Sequence, residues 1–130
     1  MRRYKKGFTL VEIMIVVGII ALISALVLLP NVLRSRLNAN DAFAQATLKT
    51  ISNALESYLG ENSAYPADIN TLRTATPPYL NSDYFDTAPH NGFTFEATAL
   101  ADYSYLITAT PISATQGTRS FTISTGGLLK

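Results

Sequence analysis

The spacing of apolar residues changes along the chain, and each change predicts a different element. From Phe8 to Leu29 the sequence is almost continuously apolar, with Glu12 as its one charge. At about 1.5 Å per residue, a helix of this length reaches roughly 33 Å, enough to cross a bilayer core of about 30 Å. We therefore expect a membrane-spanning helix over 8–29. Small residues along it would allow neighbouring helices to approach closely: Gly18, Ala21, Ser24 and Ala25.

Pro30 ends the uninterrupted apolar run, and a second pattern follows it. Proline lacks a backbone N–H and clashes with the preceding turn, so we expect a helix kink at Pro30. Apolar residues then recur at helical spacings, which predicts an amphipathic second half of the same helix over 30–60, with Gly60 as its C-cap. The stripe consists of Leu33, Leu37, Ala44, Leu48, Ile51, Leu55 and Tyr58. Polar residues at its gap predict a weak helical segment: Asn38, Asn40 and Asp41.

The stretch 61–91 has no sustained period and contains several prolines, which predicts an irregular loop with one short helical turn over 67–73. Its large apolar side chains should pack on the helix or the sheet: Tyr79, Leu80, Tyr84 and Phe85. Asp83 and Asp86 are interpreted as solvated carboxylates rather than as a calcium site. His90, the single histidine, is interpreted as a surface residue.

From Gly92 onward apolar and polar residues alternate, which is the period of a half-buried strand. Two strands are predicted over 93–98 and 103–110, joined by a turn over 99–102, and a third over 118–125. The sheet therefore occupies 92–126 within a globular head over 61–130. The predicted fold class is α+β, with one long amino-terminal helix packed on a small three- to four-stranded antiparallel sheet.

Composition narrows the chemistry that such a fold could perform. The chain has no cysteine, which excludes disulfides, thiolate metal sites and cysteine nucleophiles. The sequence contains no phosphate-binding loop, nucleophile elbow or histidine-rich cluster. It therefore predicts neither an enzyme nor a cofactor or metal site, and the head must be held together by packing and hydrogen bonds alone.

Basic residues are concentrated before the apolar run: Arg2, Arg3, Lys5 and Lys6. A secretory signal is normally cleaved beyond a shorter apolar segment, but Arg34 and Arg36 follow this one, and the small residue at the boundary is Gly7. Cleavage after Gly7 would remove a leader, residues 1–7, and leave six basic against nine acidic residues, a formal charge of −3. The remaining chain has no basic tract for nucleic acid. The basic start favours a cytoplasmic amino terminus.

Glu12 is the unusual residue of the span. A carboxylate in hydrocarbon costs several kcal/mol, so Glu12 is expected to seek a cation. Cleavage would create one at the new amino terminus, Phe8, and this amine could meet Glu12 of a neighbouring copy when helices pack out of register. The simpler interpretation is that Glu12 lies at the headgroup level and needs no partner.

The segment Gly7-Phe8-Thr9-Leu10-Val11-Glu12, followed by a long apolar helix, resembles the class III signal of type IV pilins and of the pseudopilins of type II secretion. Segment 30–41, strand 105–111, segment 117–121 and the end 127–130 resemble bacterial pilins, and the Asp-Pro-Trp-Gly pattern of the major pseudopilin is missing. The resemblance implies the pilin fold. It also implies cleavage by a prepilin peptidase between Gly7 and Phe8, N-methylation of Phe8, and a role for Glu12 in assembly.

By this resemblance the chain is a structural subunit of a type IV pilus-like filament. The precursor would be a single-pass protein of the cytoplasmic membrane, and an assembly platform with its ATPase would move it into a helical homo-oligomer at the cell surface. Two alternatives stay open. The chain could be a pseudopilin of a type II secretion system or a minor pilin, or it could be a monomeric membrane-tethered binding domain that is not cleaved and does not polymerise.

Overall fold

The computed structural model describes residues 6–130, so residues 1–5 of the predicted leader lie outside the described residues. The chain divides into two compact units, one ending at Ser35 and one covering Arg36–Lys130. A single helix, α1 (Leu10–Asn62), supplies residues to both units. Pro30 lies inside α1, and the side-chain amide of Asn31 donates to the Val27 carbonyl at 3.1 Å. The helix therefore continues through the proline.

The second half of α1 buries one face in the core of the second unit. Its buried residues recur three or four positions apart: Ala44, Thr47, Leu48, Ile51, Ser52, Ala54 and Leu55. The predicted stripe is confirmed from Ala44 onward, with Tyr58 half-buried at its end, but Leu33 is exposed. Burial of a Leu or Ile side chain contributes about 1.5–3 kcal/mol, so this stripe holds α1 on the sheet.

Gly60 is not the C-cap of α1, contrary to the sequence-based expectation. The helix continues to Asn62, and Ser63 follows with a φ of 62°. The Ser63 N–H donates to the Leu59 carbonyl at 2.8 Å, which satisfies one of the carbonyls that a helix end leaves unpaired. A serine in the left-handed region thus takes the place that glycine usually fills.

Four antiparallel strands form the sheet, in the order β1-β2-β3-β4. They are β1 (Phe93–Ala101), β2 (Ser104–Pro111), β3 (Phe121–Ser124) and β4 (Leu128–Leu129). The α+β class and the four-stranded upper limit of the prediction are confirmed. The inner face of the sheet packs on α1 with Phe93, Phe95, Tyr105, Ile107, Ala109, Phe121 and Ile123.

The predicted turn over 99–102 is wrong, because β1 contains a bulge. Ala97 pairs with Ile107 and Ala99 pairs with Leu106, which leaves Thr98 as an extra residue. An extra residue shifts the alternation by one position, so Leu100 packs against the core opposite Tyr105. The alternation of apolar and polar residues breaks at Thr98, and in the sequence this break resembles the end of a strand.

The third strand is shorter than predicted and a fourth follows it. β3 begins at Phe121 rather than at Thr118, because the Thr118 N–H donates to Asp41 Oδ1 on α1 at 3.0 Å. Beyond β3, a 3-10 turn over Thr125–Gly127 reverses the chain into β4. Gly126 and Gly127 have φ angles of 78° and 74°, which favour glycine.

Two other loops are held in place, one by a buried leucine and one by a backbone hydrogen-bonded turn. The short helix α2 (Thr71–Thr74) lies at the end of the predicted helical turn and buries Leu72 in the core. Asn91 and Gly92 form a two-residue hairpin turn with φ angles of 48° and 80°, in which His90 and Phe93 exchange both backbone hydrogen bonds. Leu80 is buried, and Tyr79, Tyr84 and Phe85 pack against the core as predicted.

Candidate processing and assembly site

Residues 6–9 precede α1 and form no regular secondary structure. Within residues 6–130, and apart from the two chain neighbours of Gly7, no atom lies within 4 Å of the position that a Gly7 side chain would occupy, and Phe8 is 84% exposed. The peptide bond between Gly7 and Phe8 is therefore outside the helix and sterically open. A peptidase can bind such a bond without first unwinding hydrogen-bonded structure.

Thr9 and Glu12 form a capping box at the start of α1. The Thr9 N–H donates to Glu12 Oε2 at 2.7 Å, and the Glu12 N–H donates to Thr9 Oγ1 at 3.2 Å. The two side chains thus satisfy backbone donors that the first helical turn leaves unpaired. A carboxylate in the first turn also interacts favourably with the positive end of the helix dipole.

This contact corrects one part of the sequence interpretation. The Glu12 carboxylate already has a hydrogen-bond partner within a single subunit, the Thr9 N–H of its own chain. The pattern Thr-x-x-Glu before an apolar run is readable in the sequence and would have predicted the contact. A backbone N–H does not neutralise the carboxylate, so Glu12 retains a full charge that a cation can still pair.

The apolar half of α1 is exposed along its whole length. From Leu10 to Leu29 every large apolar side chain is exposed, with fractions from 48% at Ile13 to 79% at Leu10. The helix is long and apolar enough to cross a membrane, and its apolar window is not buried within the described protein. Soluble monomers rarely expose apolar surface on this scale, so another phase or another molecule must cover it.

The remaining polar candidates lie in the loop 61–91 and at its end. Asp83 forms an ion pair with Arg73, and His90 Nε2 lies 2.8 Å from Asp86 Oδ1. His90 remains partly exposed, in keeping with its interpretation as a surface residue, and its ring also lies edge-on to Tyr84. Within residues 6–130, no three His, Asp or Glu side chains are grouped so that they could hold a metal ion.

Comparison with known proteins supports the importance of the amino-terminal segment. The model of the family described as "Prokaryotic N-terminal methylation motif" matches residues 2–28, which include Gly7, Phe8, Thr9 and Glu12. This match covers the candidate site and most of the apolar stretch. It does not extend to the head.

Similarity to individual proteins extends over the head as well. The chain is 32% identical over 126 residues to the "Type IV wide pilus major component PilA4" of Thermus thermophilus, covering 88% of this chain and 95% of that protein. It is 34% identical over 99 residues to the "Type II secretion system core protein G" of Aeromonas hydrophila, covering 69% and 68%. The protein of the same name from Pseudomonas aeruginosa is 42% identical over 66 residues, covering 51% and 46%.

Proposed function

The chain belongs to the family of type IV pilins and type II secretion pseudopilins, and we propose that it is a structural subunit of a type IV pilus-like filament. The observation that carries this proposal is the uncovered apolar half of α1 with Glu12 in its first turn. Lipid covers this surface in the precursor, and neighbouring helices cover it in the filament. The similarity to a pilus major component over almost the whole chain supports the same function.

Processing is the first step of the proposal. A prepilin peptidase cleaves between Gly7 and Phe8, removes the leader 1–7 and leaves Phe8 as the methylated amino terminus. The open Gly7–Phe8 bond and the match of residues 2–28 to the methylation motif support this step. The cleaved subunit then consists of an anchor over 8–29, an amphipathic segment over 30–60 and a head over 61–130.

Assembly follows from the charges that cleavage leaves in the apolar segment. The Phe8 amine of one subunit pairs with Glu12 of a neighbour, and at about 4 Å with an effective dielectric near 20 this attraction is about 4 kcal/mol. The capping box holds Glu12 at the first turn of α1 while the helix is still in the membrane. An assembly platform and a cytoplasmic ATPase supply the energy of extraction, since the apolar helix is already covered in lipid.

The role of Pro30 in this proposal is mechanical. Proline supplies no N–H to the Leu26 carbonyl, so one helical hydrogen bond is missing between the anchor and the amphipathic segment. We expect the helix to bend or unwind there when the subunit moves from the membrane into the filament. The chain itself acts as a building block and performs no catalysis.

The experiment that tests the proposal is amino-terminal sequencing of the protein from purified surface filaments. A methylated Phe8 as the first residue is the expected result. Glu12→Ala should leave cleavage intact and abolish filaments, because the Phe8 amine then has no carboxylate to meet. An uncut chain that works as a solitary membrane protein would overturn the proposal.

A second candidate function is favoured by the similarity to secretion core proteins. The 42% identity over 66 residues to the Pseudomonas aeruginosa protein exceeds the 32% over 126 residues to the pilus component, although it spans half of the chain. A pseudopilin or minor pilin would share the anchor and the processing. Mass spectrometry of sheared surface filaments separates these functions, because a major pilin dominates the filament mass.

A further inference from the structure

Four separate segments of the chain, one in α1 and three in the head, meet at one carboxylate oxygen. Glu56 Oε1 on α1 accepts hydrogen bonds from the Tyr65 hydroxyl at 2.9 Å, the Tyr105 hydroxyl at 3.2 Å and the Gly126 N–H at 3.2 Å. Ser52 lies one helical turn before Glu56, and its Oγ is 2.8 Å from the Tyr105 hydroxyl oxygen. Since the Tyr105 proton points to Glu56, the Ser52 hydroxyl is the donor in that pair. These five residues are called the Glu56 clasp.

Three residues of the Glu56 clasp are shielded from water, whereas Glu56 itself is half-buried and Gly126 is exposed. Ser52, Tyr65 and Tyr105 are each at most 4% exposed, and the two tyrosine rings meet edge to face with centroids 5.0 Å apart. Burial raises the pKa of both tyrosine hydroxyls, so they remain protonated donors at neutral pH. Hydrogen bonds to an ionised acceptor are about twice as strong as neutral ones.

The segment that the clasp holds has few other attachments. Beyond β3, Thr125 Oγ1 accepts a hydrogen bond from the Tyr105 N–H at 3.0 Å. The chain then turns through Gly126 and Gly127 into the two-residue strand β4, which is followed by one backbone exchange between Lys130 and Thr122. Two-residue strands contribute little by themselves. With no cysteine in the chain, no disulfide can fasten this end of the head.

We propose that the Glu56 clasp is a noncovalent lock that keeps the carboxyl-terminal segment, residues 125–130, docked on α1. It fastens the sheet to α1 at Tyr105 and fastens the turn after β3 through the Gly126 N–H. Tyr65, in the loop that follows α1, donates to the same oxygen. The Glu56 side chain therefore binds residues near both the beginning and the end of the head.

The test is thermal unfolding of the full chain in detergent, followed by near-ultraviolet circular dichroism of its tyrosines. Glu56→Ala leaves two buried hydroxyls and one N–H without their acceptor, so the midpoint should fall by about 10 °C or more. Glu56→Gln keeps an acceptor oxygen, so its unfolding midpoint should fall by less. The matched control is Glu61→Ala, because Glu61 also accepts from a tyrosine, Tyr79, but at the surface. It should shift the midpoint by no more than about 3 °C.

Hydrogen exchange locates the effect. In Glu56→Ala the Gly126 and Lys130 amides should exchange about tenfold faster or more, while amides of the β1–β2 ladder change little. In a chain that already carries Tyr65→Phe and Tyr105→Phe, Glu56→Ala should lower the unfolding midpoint much less than it does in the natural chain. An equal cost in both backgrounds, or exchange that rises uniformly over the head, would overturn the lock and make Glu56 an ordinary helix residue.

Discussion

Gly117 lies directly against the ring of Phe93. A Cβ at Gly117 would be 2.3 Å from Phe93 Cζ and 2.8 Å from Pro111 Cβ, distances that real side chains do not reach. Phe93 is fully buried, and the loop between β2 and β3 crosses over it at this point. The close approach is possible because position 117 has no side chain.

The first prediction follows from this contact. Gly117→Ala should destabilise the head by about 1–3 kcal/mol, because the added methyl group must displace a buried ring or the loop backbone. Gly60→Ala is the matched control, since Gly60 is inside α1 and, apart from the helix's own backbone, no atom of the described residues lies within 4 Å of its missing side chain. It should stabilise the helix by up to about 1 kcal/mol. Urea unfolding of the two variants in detergent should therefore give shifts of opposite sign.

The second prediction concerns the anchor of the same loop on α1. Asn40 Nδ2 donates to the Gln116 carbonyl at 2.8 Å, and Asp41 accepts from both the backbone N–H and the hydroxyl of Thr118. Asp41→Ala should cost about 1–2 kcal/mol of unfolding free energy, since these donors are left to water or to poorer partners. Asp102→Ala, at the exposed turn between β1 and β2, should cost less than about 0.5 kcal/mol. Equal losses in both variants would contradict the anchoring role.

These contacts show which parts of the fold the sequence predicts and which parts it does not. The period of the apolar residues located the second half of α1 and the first two strands, because burial on one face imposes that period directly. Asn40 and Asp41 predict a weak helical segment because they are polar, but in the structure each binds the loop between β2 and β3. Their partners lie 76 and 77 residues away, and such distant partners leave no local signal in the sequence. Glu56 was missed for the same reason, with Gly126 70 residues distant. The Thr9–Glu12 capping box, by contrast, is a local pattern that the sequence alone predicts.

The third prediction is a loss of stability in alkali. Burial raises the pKa of the Tyr65 and Tyr105 hydroxyls, so the folded head favours their protonated forms. This stabilisation is fully present below the ordinary tyrosine pKa of about 10 and is lost as the pH rises above it. The urea midpoint of the full chain should be constant from about pH 7 to 9 and fall above about pH 10. In Tyr65→Phe the urea midpoint should fall less steeply with pH. An unchanged slope would show that other groups cause the loss of stability.

The last prediction separates the capping box from the charge of Glu12. Thr9→Val keeps the shape of the side chain but removes the hydroxyl that accepts from the Glu12 N–H. Loss of an N-cap costs about 1 kcal/mol, which is about fivefold in an equilibrium constant, so the first turn frays and Glu12 is held less firmly. Filament yield, measured by shearing and immunoblotting, should fall in Thr9→Val and remain normal in Thr9→Ser. Cleavage after Gly7 should be complete in both, because the scissile bond lies outside the helix. If Thr9→Val gives normal filament yield, the capping box stabilises the helix without contributing to assembly, and Glu12 acts through its charge alone.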